Sequence, residues 1–255
     1  MSWSAAQYVK FEDERSRPVR DLLAHVPTIE VKTAADIGCG PGNSTELLQQ
    51  RFPDATVVGM DSSPEMIEAA RKRLPAVRFE IADIAAWQDP GPFEVILSNA
   101  VLQWLPDHAA LLPKLVAKLA PGGSLAVQVP DNLDQPTHRL IRETAADARW
   151  AEKVAGPAKA RITRHGADWY YGVLRDAGAK VDIWRTTYYH VLAGPAAVVE
   201  WFKGAALRPF LALLDKGEQA AFLAQYQAGI EKAYPALADG TVLLSFPRLF
   251  MIAMR

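Results

Sequence analysis

Apolar residues along this chain fall into short continuous runs, and between the runs they recur at helical spacing. Thr33–Ile37, Thr56–Asp61, 77–81, Phe93–Asn99 and 124–129 have the length and apolar density of buried strands. Between them, Leu47 and Leu48 share one helical face, Ser63 followed by Pro64 opens a second helix, and residues 111–119 form an amphipathic third that Pro121-Gly122-Gly123 should end. Strands that alternate with helices are most economically joined as a parallel sheet. Arg71, Lys72 and Arg73 suit a solvated helix end.

The outer parts of the chain follow other patterns. Residues 5–14 predict a helix with Tyr8 and Phe11 on one side, stopped near Pro18, and a second passes through Leu22 and Leu23. From Pro136 the spacing is helical, and between Asp147 and His165 it becomes polar and ambiguous, open to a loop or lid. Residues 180–190 are rich in β-branched and aromatic side chains, as a long strand is, and 243–253 form a closing one. Between these two strands, 195–234 predict two or three helices carrying Trp201, Phe202, Phe210, Phe222 and Tyr226, placed to cap an acceptor pocket. The expectation is one α/β domain of 255 residues: a helical segment over 1–30, a core over 31–190, a helical cap over 195–235 and a final strand over 241–255.

Composition narrows the function classes. A formal net charge of −1, with no run of Lys and Arg, gives no field for nucleic acid. No basic start followed by an apolar core opens the chain and no apolar run reaches membrane-spanning length, so a soluble, cytoplasmic protein is expected. The one cysteine, Cys39, has no internal disulfide partner and no nearby base, and is read as filling its turn. The five histidines are scattered without ligand spacing, so no metal is expected, and His108 and His138 are read as surface or capping residues.

The chemistry centres on Asp36-Ile37-Gly38-Cys39-Gly40-Pro41-Gly42, between the first strand and its helix. Glycines at alternate positions free the backbone for conformations that side chains forbid and let a ligand lie on the main chain. Asn43 or Ser44 can cap the helix that follows. A dinucleotide turn would place its last glycine at Asn43, and Asp36 would repel a pyrophosphate, which disfavours a nicotinamide dehydrogenase. Asp61 ends the second strand nineteen residues past Gly42, a spacing suited to gripping ribose hydroxyls, and Asp83 follows the third strand, where it can accept from an adenine amino group. Asn99 and Gln103 follow the fourth strand, at the edge where open parallel sheets keep their ligands.

Asp36-x-Gly38-x-Gly40-x-Gly42, then Asp61 and Asp83, resembles the cofactor site of the class I S-adenosylmethionine-dependent methyltransferases. The resemblance implies a Rossmann-like, mostly parallel seven-stranded sheet with helices on both faces and a helical cap before the last strand. It implies S-adenosylmethionine as cofactor, held by Asp36, Gly38, Gly40, Gly42, Asp61, Ser62, Met66, Asp83, Ile84, Asn99 and Gln103. Asn99-Ala100-Val101-Leu102 departs from the Asn-Pro-Pro-Tyr common in enzymes of this family that methylate exocyclic or amide nitrogens. The segments 14–18, 38–45, 102–108, 181–190 and 246–250 resemble the members of the family that esterify trans-aconitate.

A carboxylate acceptor is already ionised near neutral pH, so no catalytic base is expected; proximity and orientation carry the reaction. Candidates to hold the acceptor are Tyr8, Arg15, Trp104, Arg185, Tyr188, Tyr189, His190, Arg208 and Arg248, with arginine best suited to the unreactive carboxylates. The expected partner is a small polycarboxylate, neither nucleic acid nor membrane. Another small or carrier-bound acid, and a non-catalytic S-adenosylmethionine-binding module, remain open at this point.

Overall fold

The computed structural model describes residues 12–159, 165–204 and 206–255. Its contacts separate into two compact units: Met1–Pro130 with Arg164–Thr186 and Leu249–Arg255, and Asp131–Thr163 with Thr187–Arg248.

The first unit begins with helix α1 (Glu12–Ala24), followed by β1 (Thr33–Ile37), α2 (Asn43–Arg51), β2 (Thr56–Asp61), α3 (Pro64–Arg73), β3 (Arg78–Ile81), β4 (Phe93–Asn99), α4 (His108–Ala117) and β5 (Leu119–Pro130). After α5 (Pro136–Ala145) and α6 (Ala155–Lys159) come α7 (Ala167–Asp176), the long β6 (Lys180–Leu192), α8 (Pro195–Lys203), α9 (Arg208–Leu211), α10 (Lys216–Ala233) and β7 (Val242–Met254). The seven strands form one sheet in the order β3-β2-β1-β4-β5-β7-β6. Pairings β1 with β2 and β4, β2 with β3, and β4 with β5 are all parallel. Backbone bonds from Gly122 to Arg255 and from Asp131 to Pro247 show β7 running antiparallel to β5. The expected mostly parallel seven-stranded sheet is therefore present, and it brings the carboxyl ends of β1, β2 and β4 to one edge.

Burial explains why these runs became strands. Val95, Ile96, Leu97 and Ser98 of β4 are all fully buried, as expected of a central strand covered on both faces. α4 and α7 pack through Leu111, Leu112, Leu115, Tyr170 and Leu174 against Ile96, Leu125 and Val127. α1 packs on α2 and β5, burying Val19, Leu22 and Leu23. Each such apolar side chain contributes roughly 1.5–3 kcal/mol.

Three local expectations need correction. Pro18 does not divide two helices: α1 runs through it from Glu12 to Ala24. The ring costs the helix a hydrogen bond, roughly 3 kcal/mol, and the burial of Val19, Leu22 and Leu23 offsets that cost. Pro121-Gly122-Gly123 does not end α4, which stops at Ala117. Those residues lie inside β5, where the register with β4 jumps from Phe93↔Leu119 to Val95↔Ser124, so the extra residues bulge out of the ladder. His108 and His138 are buried, at 3% and 7% exposure, because neighbours inside the protein satisfy their rings.

In the second unit, α10 packs against α5 and α8. Gly229 permits this close approach, since a Cβ there would come within 2.6 Å of Leu140 Cδ2. Asp215 and Glu218 form a reciprocal capping box at the start of α10. The polar stretch after Asp147 is pinned by Trp150, whose indole N–H donates to the Thr144 carbonyl across 2.7 Å and whose ring lies 5.4 Å from Phe222.

Candidate functional site

The glycine turn after β1 is built for close approach. Gly38, Gly40 and Gly42 all have positive φ, at 77°, 54° and 93°. Gly38 has no room for a side chain, since a Cβ would lie 2.6 Å from Val101 Cγ1. Around Gly40, which is half-buried, a Cβ would meet no atom of the described residues within 4 Å. The N-cap of α2 is Gly42, with no side-chain cap, so neither Asn43 nor Ser44 plays the capping role expected of it.

Ser44 is instead turned back toward β1. Its hydroxyl and that of Thr45 both donate to Asp36 Oδ2, each at 2.7 Å. Asp36 is completely buried, and Oδ1 has no hydrogen-bond partner among the described residues. Burial, opposed by the two hydroxyls and assisted by the nearby Asp61 charge, pushes its carboxyl up to about 6. It is therefore mostly ionised at neutral pH, with one oxygen satisfied and the other unmatched.

Three further acceptors share this condition. Asn43 Oδ1, Asn99 Oδ1 and Gln103 Oε1 are buried and lack donors among the described residues. Gln103 is oriented by its own amide, which donates to the Ala100 carbonyl across 2.6 Å and leaves the oxygen as the unmatched end. Ala100 reaches that geometry with φ of 56°, an unusual backbone for a residue with a side chain. A small cleft lined by Ser16, Val19, Gly38, Cys39, Asn43, Ser44 and Asn99 opens beside them. Buried acceptors without donors are costly unless a ligand supplies the hydrogens.

The other strand ends contribute differently. Asp61 accepts from the Gly40 N–H at 3.0 Å through Oδ2 and from the Ser63 N–H at 2.9 Å through Oδ1. It therefore ties the glycine turn to the start of α3 while staying half-exposed. Asp83 is exposed and caps a 3-10 turn over Ile84–Ala86 by accepting from the Ala85 N–H at 2.9 Å. Ile84 and Met66 are buried and Ser62 is exposed. Cys39 is buried in the turn, and burial with two neighbouring carboxylates pushes its thiol far above the ordinary range, which removes it as a nucleophile.

The acceptor candidates divide between places. Tyr8 lies outside the described residues, as does the side chain of Arg15. Trp104 stands 47% exposed on the 3-10 turn Leu102–Trp104. In β6 the strand alternation separates neighbours: Tyr188 and His190 are buried, whereas Arg185 and Tyr189 are exposed on the opposite face. Within the second unit, His190 stacks on Trp201 at 4.8 Å and meets Phe246 at 5.7 Å, and the buried Arg248 guanidinium lies 4.8 Å over the same Phe246 ring. Tyr188, His190 and Arg248 are thus brought together, while Arg208 is half-buried at the start of α9. Among the described residues no group of three or more His, Cys, Asp or Glu could hold a metal ion, and no helix is long and apolar enough to cross a membrane.

Ser16, Val19, Asn43, Ser44 and Thr45 are site neighbours that sequence reasoning did not pick out as binding residues. The available signal was the pair of hydroxyls in the first turn of α2, eight and nine residues past a strand-end carboxylate.

Comparison with known proteins places this geometry. Residues 34–123 match a methyltransferase-domain family. The trans-aconitate 2-methyltransferase of Methylobacterium nodulans is 54% identical over 99% of this chain and 98% of its own length. That of Rhizobium meliloti is 52% identical over 100% and 99%. Geranyl diphosphate C-methyltransferase from Streptomyces coelicolor, solved with S-adenosyl-L-homocysteine, shares the fold with a TM-score of 0.55 and 17% identity over 98% of this chain and 81% of that one. With this identity from end to end, the chain belongs to the trans-aconitate 2-methyltransferase family.

Proposed function

We propose that the protein transfers a methyl group from S-adenosylmethionine to one carboxylate of trans-aconitate, forming the monomethyl ester. The observation that carries this reading is the set of unmatched acceptors at the ends of β1 and β4: Asp36 Oδ1, Asn43 Oδ1, Asn99 Oδ1 and Gln103 Oε1. A ligand rich in donors and carrying an ammonium group satisfies them, and a phosphate-bearing dinucleotide does not. Asp36 then takes the ammonium through Oδ1, and Gly40, with no described atom where a Cβ would point, gives a flat ligand room to approach. Asp61 offers a remaining lone pair on each oxygen to ribose hydroxyls, and Asp83 with the Ile84 turn lies at the adenine end. Ser62 and Met66 flank that end from the start of α3.

S-adenosylmethionine supplies the methyl on a sulfonium. The residues of the chain bind and align; none has to remove a proton, because the acceptor carboxylate is ionised well below neutral pH. The unreactive carboxylates need cationic donors, and this reading assigns them to Arg248 with His190 and Tyr188, and to Arg208, rather than to Arg185 or Tyr189 on the opposite strand face. Trp104, Tyr8 and Arg15 remain candidates to cover the acceptor. Incubation with methyl-labelled S-adenosylmethionine and trans-aconitate should yield a base-labile labelled ester. Absence of transfer to any di- or tricarboxylate would overturn the reading.

A further inference from the structure

We propose that Ser44 and Thr45 are positioning residues for Asp36: their hydroxyls together occupy one carboxylate oxygen, so that Oδ1 alone is presented, as an anion, to the cationic head of the ligand. The inference rests on the cofactor reading above and adds two residues to it.

The geometry is specific. Both donors converge on Oδ2 at 2.7 Å, within the range of a charge-assisted hydroxyl–carboxylate bond, and together they use the lone pairs of that oxygen. Thr45 is completely buried and Ser44 nearly so. The N-cap of α2 is Gly42, which has no side chain to satisfy the free helical N–H groups, and neither hydroxyl takes over that role. Both hydroxyls are spent on a carboxylate in the preceding strand instead. No hydrogen bond within the described residues reaches the buried Oδ1, so one oxygen of the carboxylate is fully matched and the other is unmatched.

The charge state of Asp36 depends on the same two bonds. Burial is the largest influence and raises its carboxyl; the Thr45 and Ser44 hydroxyls oppose it, and Asp61 raises it further. From the glycine turn, Cys39 faces it as a neutral thiol; Leu97 of β4 and Gly59 of β2 sit beside it in register and carry no charge. From α1, Ser16 and Val19 line the adjoining cleft. Without the hydroxyls nothing in this set favours the anion. A protonated Asp36 would lose the charge that attracts an ammonium and, with its proton on Oδ1, would set donor against donor.

The test compares the protein with Ser44→Ala, Thr45→Val, the double variant and Thr45→Ser. Binding of S-adenosylhomocysteine is measured by calorimetry from pH 5 to pH 9, and Asp36 itself is followed by carboxyl 13C titration without ligand. The expected result is an upward move of the Asp36 midpoint by about one to two units in the double variant, with binding at pH 7 weakened about two- to tenfold. The deficit should narrow toward pH 9, and Thr45→Ser should restore the native profile. A carboxyl midpoint that does not rise in the double variant overturns the inference whether or not ligand binds. Failure of the unaltered protein to bind S-adenosylhomocysteine would instead count against the cofactor reading, and the 13C titration would still decide the hydroxyls' role.

Discussion

His108 Nε2 lies 2.7 Å from the Leu102 carbonyl oxygen, while its Nδ1 lies 2.8 Å from the Tyr170 hydroxyl. A carbonyl can only accept, so Nε2 donates to it, and Nδ1 is paired with the Tyr170 hydroxyl. One buried imidazole thereby fastens the 3-10 turn bearing Gln103 and Trp104 to α4 and α7. His108→Ala would remove both bonds, roughly 0.5–1.5 kcal/mol each, and leave the buried volume of the ring unfilled. Urea denaturation should therefore show a loss of about 3 kcal/mol, with Tyr170→Phe costing about 1. Equal stabilities would mean that neither bond matters to the turn.

Gly38 and Gly40 should respond differently to alanine. At Gly38 a Cβ meets Val101 and φ is 77°, so both packing and backbone oppose it; a loss of roughly 3 kcal/mol is expected. Val101→Ala in the same chain should return part of that loss, because it removes the overlap but leaves the backbone strain. At Gly40 the Cβ meets no atom of the described residues, and the φ of 54° is what counts against it, about 1 kcal/mol. Its S-adenosylmethionine affinity should fall by more than its stability does, since the added methyl projects where the ligand would lie. Thermal melts and calorimetry on the two variants separate these outcomes.

The sheet was legible in the sequence because parallel strands buried on both faces read as unbroken apolar runs, as in Phe93–Asn99. The strand-end acids were legible because each follows such a run directly. What stayed hidden depends on contacts between distant residues. Nothing in the spacing of Pro18 shows that Leu22 and Leu23 bury deeply enough to carry a helix through it. Pro121-Gly122-Gly123 has the composition of a helix terminator, and only its register against Phe93 and Val95 reveals a bulge. His108 gave no sign of burial, since its partners are a carbonyl and a tyrosine 62 residues away. The two faces of β6 follow from strand alternation alone, since a period of two puts Tyr188 and His190 on one side and Tyr189 on the other.

Arg248 is 4% exposed, with its guanidinium over Phe246. On the proposed function it binds a carboxylate that does not react, so Arg248→Ala should raise the trans-aconitate KM about tenfold or more, the loss of one or two charge-assisted bonds. S-adenosylmethionine affinity should stay unchanged, because the unmatched acceptors at β1 and β4 are untouched. Steady-state kinetics with each substrate varied in turn provides the check. A change confined to the cofactor's KM would remove Arg248 from the acceptor's binding groups.

Asp36 offers a prediction in which stability and binding move in opposite directions. Its carboxyl is raised from 3.8 to about 6 in the folded protein, so the native state holds the proton more tightly than the unfolded chain does. That contribution to stability is fully present below about pH 4, declines as pH rises through 6, and is absent above it. At 1.36 kcal/mol per pKa unit the swing is about 3 kcal/mol. An asparagine does not titrate and can still accept from Ser44 and Thr45 through its amide oxygen. Asp36→Asn, measured without ligand, should therefore gain about 2 to 2.5 kcal/mol relative to the native protein on going from pH 4 to pH 7.5. The same substitution removes the charge facing the ligand's ammonium, so the rise in Tm on adding S-adenosylmethionine should vanish or shrink at pH 7.5. A variant whose stability tracks that of the native protein at both pH values would show that the buried carboxylate imposes no such cost.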